Sequence, residues 1–249
     1  MFRPNVSIAI PCYNEELRLP VQRFRDFAEK EDNYRFLFVD DGSTDRTADI
    51  LQALQVERPD RFSVMRLGRN FGKAEAVRQG FMASFDSAVE FIGFWDADLS
   101  TPLEALPSCV MTFQQRPSVE MVFGSRVKLM GWDIRRHALR HYVGRCCATA
   151  VSLILGLPIY DTQCGAKVFR VTDTLRKIFA EAFRTKWLFD VELIARFIQE
   201  NKTLRVTELE RRIYELPLPV WHDVPGSKIR PIDFVTALID LIRIYRSLP

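Results

Sequence analysis

The apolar positions of this chain fall into short solid runs set between longer mixed stretches. Residues 6–10, 34–39, 62–67, 91–95 and 119–123 are dense in bulky and β-branched side chains. Each has the length of a buried strand. Residues 15–30, the stretch from about Asp45, and residues 74–85 and 102–115 read as helices between them. Pro11 is expected to stop the first strand, and Pro102 suits a first helical turn. Asp40-Asp41-Gly42-Ser43-Thr44-Asp45 is turn chemistry, with Ser43 or Thr44 placed to cap the next helix. Residues 68–73 form a loop. Strands alternating with helices predict an α/β fold with a doubly wound, mostly parallel sheet and helices on both faces.

The second half is patterned differently. Arg135, Arg136, Arg140 and Arg145 lead into an apolar stretch, 148–155. Residues 161–170 read as a loop entering a strand, and Trp187 begins a helix ending near Gln199. One or two short strands fall within 201–215, and residues 223–229 form a turn. Ile232, Val235, Leu238, Ile239 and Ile242 recur at helical spacing. Residues 135–157 and this last helix either lie in a membrane interface or pack as core helices with solvated arginines. There is no repeat, low-complexity tract or linker, so residues 1–249 are expected to form one domain.

Composition narrows the classes. The chain has 249 residues, 47% hydrophobic and 27% charged, enough for a sizeable core. A net charge of +3 does not argue for nucleic acid, and none is expected as a partner. The five cysteines show neither zinc spacing nor an even disulfide framework, which fits a reducing compartment. No signal-peptide pattern opens the chain, and no apolar run reaches the roughly 18 residues of a spanning helix. The expectation is a cytoplasmic protein, free or peripheral on the inner membrane face.

The candidate chemistry centres on Phe91-Ile-Gly-Phe-Trp-Asp96-Ala97-Asp98-Leu99-Ser100. A buried strand ends in two carboxylates, at the sheet edge where ligands of open α/β sheets collect. If the segment stays extended, Asp96 and Asp98 face one site. Two carboxylates there suit a hard divalent cation carrying phosphate oxygens. His137, His141 and His222 have no metal-ligand spacing, and Cys164 reads as structural.

Four stretches in this order resemble the family 2 inverting glycosyltransferases of the GT-A fold. They are Ile10-Pro-Cys-Tyr-Asn-Glu15, Val39-Asp-Asp-Gly-Ser-Thr-Asp45, Asn70-Phe-Gly-Lys73 and Asp96-Ala-Asp98. Three more resemble the dolichyl-phosphate β-glucosyltransferase branch: Asp161-Thr-Gln-Cys-Gly-Ala-Lys167, Trp187-Leu-Phe-Asp-Val-Glu-Leu193 and Pro225-Gly-Ser-Lys-Ile229. The resemblance implies transfer of a hexose, glucose first, from a nucleoside diphosphate sugar such as UDP-glucose. The implied acceptor is a polyprenyl phosphate, reached at a membrane surface. Eukaryotic members of the branch carry an N-terminal anchor that this chain lacks, which leaves room for a membrane-anchoring partner protein. Residues 1–125 would bind the nucleotide sugar and 126–230 the acceptor, with 231–249 an amphipathic C-terminal helix.

The resemblance also implies roles. Pro11, Tyr13 and Glu15 line the nucleoside pocket, and one of Asp40 and Asp41 bonds the base or ribose. Lys73 lies beside the base or the phosphates. Asp98 binds Mg²⁺ or Mn²⁺, Asp96 lies near ribose and metal, and Ala97 stands between them in the donor site. Ser100 takes a place where mannosyltransferase relatives often have Gln. Asp190 falls at the position of the family's general base, although Phe189 precedes it where an acid is usual. A phosphate acceptor is already anionic and needs little deprotonation, so Asp190 either removes a proton or orients acceptor and sugar. Arg126, Lys167 and Lys228 are the cations for acceptor phosphate or donor diphosphate, and Gln163 fixes a loop under the sugar. For Asp190 and Glu192 the alternative is a helix N-terminal acid, and for Asp40–Asp45 a capping turn. Two rival functions stand beside this one: the same fold with a soluble or polysaccharide hydroxyl acceptor, and a sugar-nucleotide-binding protein without turnover.

Overall fold

Each apolar run of the first half becomes a strand. The computed structural model describes residues 4–86, 88–135, 138–224, 231–246 and 248. The first half runs β1 (Val6–Cys12), α1 (Val21–Lys30), β2 (Tyr34–Asp40), α2 (Thr47–Glu57), β3 (Phe62–Arg66), α3 (Lys73–Ser84) and β4 (Phe91–Trp95). A 3₁₀ turn at Leu103–Ala105 leads into α4 (Leu106–Gln115) and β5 (Met121–Ser125). The second half adds β6 (Asp133–Arg135), α5 (Ala138–Leu155), β7 (Ala166–Arg170), α6 (Asp173–Ala180) and α7 (Phe189–Glu200). The chain then forms α8 (Val206–Glu210), β8 (Ile213–Pro217), β9 (Val220–His222) and α9 (Pro231–Tyr245).

The main sheet has seven strands in the order β3-β2-β1-β4-β7-β5-β8. All its pairings are parallel except those of β7, which runs antiparallel to both β4 and β5. The reversal has a consequence for the site. Trp95 at the end of β4 lies opposite Ala166 at the start of β7. The loop entering β7 therefore reaches the edge where the parallel strands end. β6 and β9 form a separate parallel pair.

Two cores flank the sheet. Alternate residues of one strand enter opposite cores, as the pleat requires. Phe91 and Trp95 of β4 join Phe24 and Phe27 of α1, Leu51 and Leu54 of α2, and Phe113 of α4. Ile92 and Phe94 join Val77 and Phe81 of α3, Ile178 and Phe179 of α6, and Leu193 and Phe197 of α7. Phe81 stacks on Phe179 with ring centroids 4.1 Å apart. This is the doubly wound arrangement expected from the strand–helix alternation.

Several local expectations are corrected. Pro11 does not stop β1, which continues to Cys12 with Pro11 opposite Val39. Pro11 lies beyond the segment of β1 that pairs with β4, and its missing N–H costs that ladder nothing. The helix expected from Glu15 begins at Val21. Pro20 disfavours helical backbone at Leu19, and the preceding residues close instead into a turn on the Glu15 carbonyl. Ser43 and Thr44 do not cap α2; they hold the loop after β1, as described below. Residues 201–215 contain α8 as well as one strand. Lys228 and the Pro-Gly-Ser-Lys turn lie outside the described residues, as does His137.

Candidate active site

The strand order reverses direction between β1 and β4: β2 and β3 lie to one side of β1, β4 to the other. A crevice forms outside the carboxyl ends at such a point. The loop after β1 is sewn to the loop after β2. Ser43 Oγ accepts from Asn14 N at 3.0 Å, Asn14 Oδ1 from Thr44 N at 2.8 Å, and Thr47 Oγ1 from Glu15 N at 2.8 Å. Ser43, one of the expected caps of α2, and Thr47 in its first turn thus position the segment carrying Tyr13 and Glu15. Pro11 and Tyr13 are half-buried and Glu15 is buried.

Asp40 and Asp41 are both shielded, with different tasks. Asp40 Oδ1 accepts from Ser43 N at 3.0 Å and Oδ2 lies 3.4 Å from Arg66 Nε. Asp41 accepts from Phe71 N at 2.7 Å and Gly72 N at 2.8 Å, which anchors the loop entering α3. Burial pushes the Asp41 carboxyl above its usual range, against the pull of those two N–H groups.

Asp96 and Asp98 do not lie on extended backbone. The chain turns after β4, with Leu99 N bonded to Asp96 O at 3.1 Å and Leu99 at φ 50°. The turn still leaves both carboxylates facing cations. Lys73 Nζ lies 2.5 Å from Asp96 Oδ1, with both side chains about one-third exposed. Arg18, from the turn before α1, pairs with Asp98 Oδ2 and also reaches Glu15 at 3.5 Å. Asp98 Oδ1 accepts from Ser100 N at 3.1 Å and Ser100 Oγ at 2.9 Å. Ala97, between the two, is buried against the first core. Burial draws the Lys73 ammonium down, but Asp96, Asp190 and Asp98 more than offset this and hold it above an ordinary lysine. Of the three, only Asp96 pairs with the ammonium directly.

Asp190 stands in the first turn of α7, buried. Its Oδ1 lies 2.6 Å from Lys167 Nζ. Burial raises the Asp190 carboxyl, and Lys167 and then Lys73 oppose the rise. Glu192 is engaged elsewhere: its carboxylate accepts from Arg184 N, Thr185 N and Arg196, tying the preceding loop to α7.

The expected phosphate cations are largely committed within the fold. Arg126 grips Asp161 through two bonds of 2.7 Å, and Asp161 also accepts from Arg126 N. Burial alone would raise the Asp161 carboxyl, but Arg126 holds it at about 2. Lys167 has no exposed surface. Gln163 lies in the same loop, its backbone N–H on Asp161 Oδ1 at 3.2 Å. Cys164 is buried beside Thr101, its thiol pushed up to about 11 chiefly by burial.

Two participants escape sequence reasoning. Arg18 sits in an irregular turn, and no periodicity or motif signals that it faces Asp98. Gly165 has a readable signal, since glycine at a strand's entry marks close backbone approach. A Cβ there would collide with Cγ and both oxygens of Asp96.

Among the described residues, no three His, Cys, Asp or Glu converge on a metal site. Asp96 and Asp98 offer oxygen donors of the kind Mg²⁺ and Mn²⁺ take, and each already faces a positive group. Two carboxylates fit such an ion when substrate oxygens and water complete its shell.

The mostly parallel seven-stranded sheet with helices on both faces is of the GT-A, Rossmann-like type. The glycosyl transferase family 2 model matches residues 7–177, and the chain belongs to that family. It is a glycosyltransferase. Among curated relatives it is similar to dolichyl-phosphate β-glucosyltransferases. The mouse protein is 31% identical over 91% of this chain and 70% of its own length. That of Saccharomyces cerevisiae is 28% identical over 95% and 73%. Among solved structures it resembles glucosyl-3-phosphoglycerate synthase of Mycobacterium tuberculosis, crystallised with Mn²⁺, UDP and glucosyl-3-phosphoglycerate. The TM-score is 0.67 at 17% identity, over 99% of this chain and 81% of that one.

Proposed function

We propose that the protein transfers glucose, or a similar hexose, with inversion from a nucleoside diphosphate sugar, UDP-glucose first, to a polyprenyl phosphate of the dolichyl type. The observation that carries this reading is the extent of the similarity to dolichyl-phosphate β-glucosyltransferases. It runs over 91–96% of the chain. In this reading the nucleoside occupies the crevice beside Pro11, Tyr13, Glu15 and the Asp40–Asp41 pair. The diphosphate lies over the Asp96–Asp98 turn, with Lys73 and Arg18 as the cations beside it. Asp96 and Asp98 would hold Mg²⁺ or Mn²⁺, which supplies charge stabilisation to the departing diphosphate. Asp190 orients the sugar hydroxyls or the acceptor; an acceptor phosphate brings its own negative charge to the anomeric carbon. Arg126 and Asp161 shape the loop bearing Gln163, and Lys228 remains the cation proposed for acceptor phosphate.

Among the described residues no helix is long and apolar enough to cross a membrane. Leu153 of α5 and Ile239, Ile242 and Tyr245 of α9 are exposed apolar side chains on helices that touch one another. They support peripheral contact with the cytoplasmic face of a membrane. Flotation with lipid vesicles separates direct contact from a membrane-anchoring partner.

The test is a radiolabelled transfer assay. UDP-glucose, UDP-galactose, UDP-N-acetylglucosamine and GDP-mannose are offered with Mg²⁺ or Mn²⁺, with and without polyprenyl phosphate. Label is expected in the organic phase from UDP-glucose, abolished by chelation and by Asp98→Ala. Metal-dependent donor hydrolysis without lipid product would retain the glycosyltransferase and refute the lipid acceptor.

A further inference from the structure

Lys167 is the second residue of β7, one position inside the rim where the parallel strands end, and its side chain is enclosed. On β7 it stands opposite Phe94 of β4 and Phe123 of β5. Its Nζ lies 5.1 Å and 5.3 Å from those two ring centroids, and the residue is 0% exposed. The ammonium meets two oxygens, Cys164 O at 2.5 Å and Asp190 Oδ1 at 2.6 Å. A phosphate at the crevice could be reached only by withdrawing this charge from its aromatic slot and leaving Asp190 behind.

Stability is a weak reason for such a pair, because an apolar pair of similar volume often serves a core as well or better. Geometry gives a stronger one. Asp190 heads α7, whose inner face packs into the second core, so its backbone is already set. The carboxylate itself is held by Lys167 from the sheet side. Lys73, itself paired with Asp96 after β4, also acts on this carboxylate.

We propose that Lys167 is a positioning residue for Asp190: it pins one carboxylate oxygen from beneath the site and leaves the other for sugar or acceptor. This rests on Asp190 belonging to the reacting site. It assigns Lys167 a task different from phosphate binding, and it explains a fully shielded lysine among phenylalanines.

The experiment compares wild type with D190N, K167M, K167R and K167M/D190N in the transfer assay, with calorimetric donor binding and thermal unfolding on each. K167M is expected to lose about 10- to 100-fold in kcat while donor affinity stays within about threefold. K167R recovers most of the loss. K167M/D190N, which buries no lone charge, folds and is no slower than D190N within about twofold, because the two side chains act as one unit. This double variant carries the test where K167M alone does not fold. A double variant that loses activity multiplicatively, or that fails to fold while D190N folds, overturns the proposal. So does a K167M loss confined to the KM for polyprenyl phosphate, which would return Lys167 to phosphate binding. A wild-type rate in D190N would sink the reading of Asp190 itself, and this inference with it.

Discussion

Gly165 has no functional group, yet the Asp96 carboxylate depends on it. Asp96 N donates to Gly165 O at 2.9 Å, so the two backbones are already in register. The carboxylate then lies over the glycine where a side chain would begin. Backbone cannot yield as a flexible side chain would, so Gly165→Ala must displace Asp96 and with it the Lys73 pair. Transfer is expected to fall about 10- to 100-fold, since a shift of about 1 Å in a reacting group has that scale. Overpacking should also cost about 1–3 kcal/mol in unfolding. Steady-state kinetics and denaturant melts check both, and wild-type kcat/KM in this variant would show that Asp96 can move freely. Asp41 makes the same point in reverse. Its chemistry was visible as a candidate base or ribose ligand, but both its oxygens accept backbone N–H groups of the loop entering α3.

The loop entering β7 is strapped at several points. Glu215 of β8 accepts from Tyr160 N and Asp161 N, each at 2.7 Å. Asp161 in turn holds Arg126, which follows β5. The Asp161 carboxyl sits at about 2 in the fold, against an ordinary value of about 3.9 in the unfolded chain. The pair's contribution is therefore complete above about pH 4 and is lost as pH falls through about 2, on the order of 2 kcal/mol. Glu215 works the other way, since burial raises its carboxyl and favours the protonated fold. The expected result is a loss of unfolding free energy between about pH 5 and about pH 2 that is smaller by that amount in R126M/D161N. Urea melts at the two pH values measure it; equal losses would remove the pair from the account of acid stability. Much of this architecture was legible. Dense apolar runs and Asp-Gly turn chemistry mark β1 to β5 because burial dictates their composition. The direction of β7 was not legible, because a strand reads the same apolar pattern whether parallel or antiparallel. Nor was the start of α1, where Pro20 outweighs a helix-compatible stretch. Lys73, Asp96 and Asp190 each carried visible chemistry. Their convergence depends on that reversed strand and on a helix packed to the second face, which no local pattern encodes.

The two cores pack helices on both faces of the main sheet into a layered plate, and the candidate site lies along one edge of it, at the carboxyl ends of the parallel strands. The carboxylates there are balanced by cations of the same chain: Asp96 by Lys73, Asp98 by Arg18, Asp190 by Lys167. A ligand that binds this edge has no counterpart site in the unfolded chain, so its binding adds to the stability of the whole plate. At about 100 times its dissociation constant, one such ligand adds about 2.7 kcal/mol. For a chain of this size that is a rise of roughly 5–10 °C in Tm. UDP and Mn²⁺ together are expected to produce such a rise, with either alone giving less, because in the proposed reading a diphosphate and the Asp96 and Asp98 carboxylates would complete the ion's oxygen shell jointly. Asp98→Ala should keep the shift due to UDP and lose the increment due to Mn²⁺. Thermal melts with UDP, Mn²⁺, both, and GDP in place of UDP would read this directly. An Mn²⁺ increment that survives Asp98→Ala would place the ion away from the turn after β4, and a larger shift with GDP would move the donor away from uridine.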